Sequence, residues 1–251
     1  MSLRPFLIAL QFLSCLPVRL SPAPEPVETG RSLLWYPLVG LLLGAMLWGL
    51  GLLLGPVAPL LRAALLLGVW VLITGALHID GLGDTADAWI GGHGDRERML
   101  AIMKDPYAGP MAVAAIVVVL LLKFAALETL LACTDSGVRL GHVVLAPLLA
   151  RCAMPLLFAT TPYVRAAGLG SAMTAHLPRR AALIVALVTA LSVCLFYRLT
   201  GVIAIDGALA IFAGLRHALL RRLGGTTGDT AGAMIELIEA GVLVLVASGP
   251  G

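Results

Sequence analysis

Charge is the scarcest feature of this sequence. Only 12% of its 251 residues are Asp, Glu, Lys or Arg, about half the share that a soluble domain carries. So few charges cannot clothe a water-facing surface, and they exclude disorder and a nucleic-acid binder together. Cysteine is sparse too. Cys15, Cys133, Cys152 and Cys194 lie far apart, form no CxxC pair and sit mostly in or beside apolar runs, so they read as small hydrophobes and not as a disulfide scaffold. Leu13-Ser14-Cys15 faintly resembles a lipoprotein cleavage site, but the apolar run before it is short and broken by Gln11. There is no Walker A loop, no GxGxxG after a strand and no nucleophile elbow. The five histidines include no second His at ligand spacing, which argues against zinc. No stretch alternates polar and apolar long enough to build a barrel.

What is present in excess is apolar. Hydrophobic residues make up 60% of the chain and the mean hydropathy is +1.00. Crossing the hydrocarbon of a bilayer takes about 20 mostly apolar residues. Seven runs qualify: 33–54, 59–79, 111–132, 140–160, 181–199, 202–219 and 231–247. Residues 3–18 read as an amphipathic, interfacial segment. The expected fold is all-α, a polytopic membrane helix bundle of about seven transmembrane helices with an N-terminal interfacial segment. It forms a single integral-membrane catalytic domain over residues 1–251.

The basic residues orient this bundle. Seven spans put the N-terminus and loops 80–110, 161–180 and 220–230 on one face. That face holds Arg4, Arg19, Arg31, Arg96, Arg98, Lys104, Arg165, Arg179, Arg180, Arg216, Arg221 and Arg222, whereas the opposite face has Arg62, Arg139 and Arg198. The asymmetry places the N-terminus in the cytoplasm.

Acidic residues gather in two blocks. Loop 80–110 contains six of the fourteen, and Asp80, Asp84 and Asp87 are spaced i, i+4, i+7. On a helix that spacing puts three carboxylates on one face, where they repel unless a cation joins them. Oxygen ligands suit Mg²⁺, which takes a few carboxylates together with substrate phosphates. A second block, Gly228-Asp229-Thr230 through Glu236 and Glu239, follows a Gly/Thr-rich turn and enters an apolar run. Ionisable groups there are costly and point to function, while Asp229 has the alternative duty of a helix cap. In the seven-span arrangement both blocks return to the cytoplasmic face.

Arg151 stands alone in mid-span and must find a carboxylate, a phosphate or a watery cavity. Its fork suits phosphate, and Arg165 and Lys104 on the cytoplasmic side can do likewise. Arg96, Arg98, Arg179, Arg180, Arg221 and Arg222 read as topology signals and lipid-headgroup contacts. Together the residues describe Mg²⁺-dependent handling of a phosphorylated substrate at the cytoplasmic edge of a membrane bundle.

At these motifs the chain resembles cobalamin synthase, the adenosylcobinamide-GDP ribazoletransferase family, nearly end to end. The resemblance rests on Leu77-His78-Ile79-Asp80-Gly81-Leu82-Gly83-Asp84-Thr85-Ala86-Asp87, on Gly94-Asp95-Arg96-Glu97-Arg98 through Met103-Lys104-Asp105, and on Gly228-Asp229-Thr230-Ala231-Gly232-Ala233. Tyr36-Pro37-Leu38-Val39-Gly40 supports it. One position departs: Tyr107 stands where the family often has a basic residue. The resemblance implies that the phosphate or hydroxyl of α-ribazole (5′-phosphate) attacks the phosphate next to the cobinamide in adenosylcobinamide-GDP, and GMP leaves. It implies Mg²⁺ and the bacterial inner membrane, with lipid as surroundings and a second copy or other corrinoid-pathway enzymes as candidate partners. Catalytic roles are assigned to Asp84, Asp229, His78 and Lys104. Substrate binding falls to Arg151, Arg165, Asp105 and Glu236, and metal binding to Asp80, Asp84, Asp87 and Asp229.

Two rivals have sequence tests. A CDP-alcohol phosphotransferase would show Ala-Arg soon after its first Asp-Gly, but Asp80-Gly81-Leu82-Gly83 continues to Asp84. An ion-coupled transporter would use Arg151, Glu236 and Glu239 as coupling groups and show inverted repeats, yet the two acidic blocks do not match in spacing.

Overall fold

A computed structural model describes residues 3–133, 136–165 and 169–249. Among them the only β-structure is one isolated bridge, Tyr163 to Thr226, and the rest is helix and turn, as the composition requires.

Helix α1 (Arg4–Leu13) packs its buried residues Ile8, Ala9, Leu10 and Leu13 inward, in the segment expected to be interfacial. Helix α2 (Pro26–Ser32) runs through a 3₁₀ turn into α3 (Tyr36–Leu53). Helices α4 (Pro59–Ile73) and α5 (Leu77–Gly91) follow, then α6 (Arg96–Ile102) and α7 (Pro110–Ala132). Short α8 (Ser136–Leu140) leads by another 3₁₀ turn into α9 (Leu145–Thr160). Helix α10 (Leu169–Ala175), the 45-residue α11 (Arg179–Leu223) and α12 (Gly228–Ser248) complete the chain.

Burial sorts these helices by place. Nearly every residue of α9 from Leu145 to Phe158 is buried, and so is most of α12. Such helices, apolar on all sides, form the centre of a bundle. Helices α3, α7 and α11 instead turn Leu41, Leu121, Leu187 and Leu195 outward. Large apolar side chains exposed in this density suit a lipid surround and not water.

By length and composition five helices can cross a membrane, or six if α4 and α5 are taken as one bent span; seven were expected. The difference has two physical sources. The run expected to span 59–79 stops at Ile73, where Gly75 (φ 62°) and Ala76 (φ 54°) turn the chain, and α5 leaves at 87° to α4. The expected spans 181–199 and 202–219 are the two arms of α11, divided at Arg198 (φ 50°, ψ −126°). A Cβ on Gly201 would meet the carbonyl oxygen of Val193 at 2.6 Å. Residues eight apart in a straight helix are about 12 Å apart, so the arms fold back on each other. The expected loop 80–110 is also corrected: most of it is α5 and α6. In loop 161–180, residues 166–168 lie outside the described residues.

Candidate active site

Helices α5 and α12 build the site by touching where both lack side chains. A Cβ on Gly81 would lie 2.7 Å from the carbonyl oxygen of Asp229, and one on Gly232 would lie 3.3 Å from the backbone of His78. Glycine at both positions lets the backbones meet, and the carboxylates flanking the contact are drawn together. The N-terminus of α12 is closed by a capping box in which Thr227 and Thr230 bond reciprocally. Asp229 is therefore not the cap, contrary to the alternative raised from sequence, and its carboxylate is available elsewhere.

A third element reaches the same place through the bridge. Val164 N–H donates to Thr226 O at 2.9 Å, and Thr226 N–H donates to Pro162 O at 2.8 Å. Gly225 permits this approach, since a Cβ there would meet Pro162 O at 2.2 Å. The loop so held delivers Arg165, whose Nη2 donates to Asp229 Oδ2 at 2.5 Å. No periodicity in the sequence announces this bridge.

These elements enclose a cavity of about 260 Å³ bordered by His78, Asp80, Tyr163, Arg165, Gly228 and Asp229, with Phe12, Met154, Phe158 and Met173 as its apolar wall. His78 is buried, and neither ring nitrogen has a hydrogen-bond partner among the described residues. Asp84 lies one turn along α5 from Asp80, beyond the run expected to span the membrane. Its carboxyl is pushed up to about 6, first by burial and then by the charges of Asp80 and Asp229, with Arg165 opposing. Asp80 and Asp229, one from each acidic block, thus border the cavity, with Asp84 one turn further along α5.

The residues fit a magnesium ion in a particular way. Among the described residues no three His, Cys, Asp or Glu side chains stand close enough to hold an ion unaided. Mg²⁺ rarely asks for that; it is commonly held by one or two carboxylates, with phosphates and water completing the octahedron. Asp80, Asp84 and Asp229 match such an open donor set. Asp87 is engaged otherwise: its carboxylate accepts Gly109 N–H at 2.5 Å and Ala112 N–H at 3.0 Å, capping α7. This is the correction to the i, i+4, i+7 reading. Asp80 of α5 borders the cavity, and Asp87 ties α5 to α7.

Other expected site residues stand elsewhere. Arg151 is fully buried in α9 and pairs with Glu239. Lys123 of α7 pairs with Glu236 at 2.7 Å and also with Glu239, and its Nζ sits 4.7 Å from the centre of the Trp70 ring. Arg151 and Glu236 thus belong to a closed cluster of two cations and two carboxylates, and neither borders the cavity. Lys104 and Asp105 are exposed on the turn after α6, outside the cavity wall. Tyr163 was missed as a wall residue; only the bridge beside it reveals the role.

Comparison with known proteins agrees with the motifs. Residues 5–247 match the model of the family described as Cobalamin-5-phosphate synthase. A protein of Pseudomonas putida (strain F1), named adenosylcobinamide-GDP ribazoletransferase, is 58% identical over 98% of this chain and 99% of its own. Proteins of the same name from Pseudomonas paraeruginosa (strain PA7) and Pseudomonas aeruginosa (strain PAO1) are 56% and 54% identical, each over 98% of both chains. No solved structure matches. With the match running almost from end to end and the glycine-paired acidic cavity at its centre, the chain belongs to the Cobalamin-5-phosphate synthase family.

Proposed function

We infer that this chain joins an α-ribazole acceptor to adenosylcobinamide-GDP and releases GMP, with Mg²⁺ bound at Asp80, Asp84 and Asp229. One observation carries the reading: carboxylates from two distant blocks and the guanidinium of Arg165 meet at a single cavity. A pyrophosphate is the natural guest of such a mixed site, because a cation can bridge it to carboxylates while arginine takes a further oxygen.

The description of the family narrows the reacting atom. A product called cobalamin 5-phosphate retains the acceptor's phosphate, so the nucleophile is an acceptor hydroxyl and not that phosphate. Its oxygen forms a bond to the phosphorus attached to the cobinamide, the bond from that phosphorus to the GMP oxygen breaks, and GMP departs. Magnesium, when bound, offsets charge developing on the pyrophosphate oxygens. Arg165 can turn from Asp229 to a phosphate oxygen, holding the reacting groups in line. His78 presents a ring nitrogen to take up the hydroxyl proton. The apolar wall of Phe12, Met154 and Phe158 excludes water that would otherwise hydrolyse the activated corrinoid.

The basic asymmetry supports a location in the bacterial inner membrane with this cavity facing the cytoplasm. Sealed inverted vesicles carrying the chain should release GMP from externally added adenosylcobinamide-GDP and α-ribazole 5′-phosphate, and EDTA should stop the release. Right-side-out vesicles should release none. GMP from right-side-out vesicles alone would reverse the orientation, and release that persists in EDTA would remove the metal.

A further inference from the structure

A second polar groove adjoins the acidic cavity, and the two share Tyr163 and Arg165 as a common wall. It has a volume of about 580 Å³ and is bordered also by Ser171, Thr174, Leu177 and Arg179. Its charge is opposite to that of its neighbour, for among the described residues no carboxylate lines it. Arg179 makes no hydrogen bond or ion pair among the described residues, and Nε of Arg165 is buried without a partner. Arg179 is also the first residue of α11, whose N-terminus has no side-chain cap. Its unpaired backbone N–H groups add positive potential beside the two guanidinium groups.

We propose that this groove seats the phosphate monoester of the acceptor, an assignment that rests on the transfer reaction inferred above. The reaction brings two anionic partners together. The pyrophosphate can share the acidic cavity with a cation, but a monoester carrying about −1.5 to −2 charges at pH 7 is repelled by Asp80, Asp84 and Asp229. It needs a separate basic seat within one sugar's length of the attacking hydroxyl. The groove supplies both conditions: it is basic, and only Tyr163 and Arg165 part it from the reacting centre. Arg165 then faces both substrates, one through the oxygen it gains when it leaves Asp229 and one through Nε.

The phosphate of an anionic lipid headgroup has the same chemistry, so the test must separate the two sources. GMP release is measured with α-ribazole 5′-phosphate and with unphosphorylated α-ribazole, for the parent, Arg179→Gln and Arg98→Gln, in nanodiscs of neutral lipid and of lipid containing phosphatidylglycerol. The readout is the ratio of kcat/KM for the two acceptors. A charge-assisted contact to phosphate makes the expected effect of Arg179→Gln a fall of about tenfold or more in that ratio, carried by KM for the phosphorylated acceptor and equal in both lipids. Arg98→Gln, at an exposed position of α6 that does not border the groove, should keep the parental ratio. A ratio unchanged by Arg179→Gln overturns the assignment, as does a change confined to anionic lipid, which would mark a headgroup site. A merely structural role for Arg179 would lower both acceptors alike and also overturn it. Should the parent release no GMP with either acceptor, the transfer reading itself falls, an outcome distinct from the loss of the subsite alone.

Discussion

Individual side chains show where sequence reasoning reached the chemistry and where it stopped. A lone Arg151 at mid-span had to find a carboxylate, a phosphate or a cavity, and its partner is Glu239. Which of these it would meet was not legible, because Glu239 lies far along the chain and Lys123, inside another apolar run, carries no sign in the sequence of the partners it takes. The cluster of Lys123, Arg151, Glu236 and Glu239 is buried and formally neutral, and such groups are strongly interdependent. Lys123→Met leaves two carboxylates facing one cation in an apolar setting, so it should cost about 3–5 kcal/mol of stability. Adding Glu236→Gln restores neutrality and should recover much of that loss. Thermal unfolding in detergent of the two single variants and the double variant measures the coupling. Strict additivity would show that the four groups do not act as one unit. Asp87 teaches a related lesson. Its spacing from Asp80 and Asp84 was read correctly as helical, but its carboxylate is spent on the N–H groups that begin α7.

At the scale of elements, hydropathy located most helices because long apolar runs leave few alternatives. It could not show the turn at Gly75 and Ala76 that lays α5 across α12, since Ala76 adopts a left-handed conformation that nothing in its type demands. The reversal at Arg198 it did anticipate, as the break between the runs 181–199 and 202–219. What the sequence did contain, unread, was a pair of glycines marking the crossing. Gly81 meets the backbone of Asp229 so closely that a methyl group forces the helices apart. Misplacements of about 1 Å can cost 100-fold in rate, so Gly81→Ala should lose most GMP release while the protein still inserts. Gly68→Ala is the matched control, because a Cβ there meets nothing within 4 Å. Turnover of Gly81→Ala at the parental rate would mean that the α5–α12 contact does not set the catalytic geometry.

For the whole molecule the central claim is convergence. Two acidic blocks, one in each half of the chain, were expected on one face by counting spans. The fold brings them together through a buried helix crossing, and the span count by itself could not have specified that contact. The structure also clears a competing duty from Asp229, since Thr227 and Thr230 close the helix. Its carboxylate therefore has Arg165 and the cavity as its concerns. The most direct measurement is GMP release by Asp229→Asn from adenosylcobinamide-GDP and α-ribazole 5′-phosphate across a Mg²⁺ titration, in protein shown to insert and purify like the parent. Asparagine keeps the shape and loses the charge. If Asp229 helps hold the metal against the pyrophosphate, turnover should fall about 100-fold or more, and excess Mg²⁺ should restore little, because the charge acts in the transition state as well as in binding. Parental turnover by Asp229→Asn would contradict the shared site and confine the chemistry to Asp80 and Asp84.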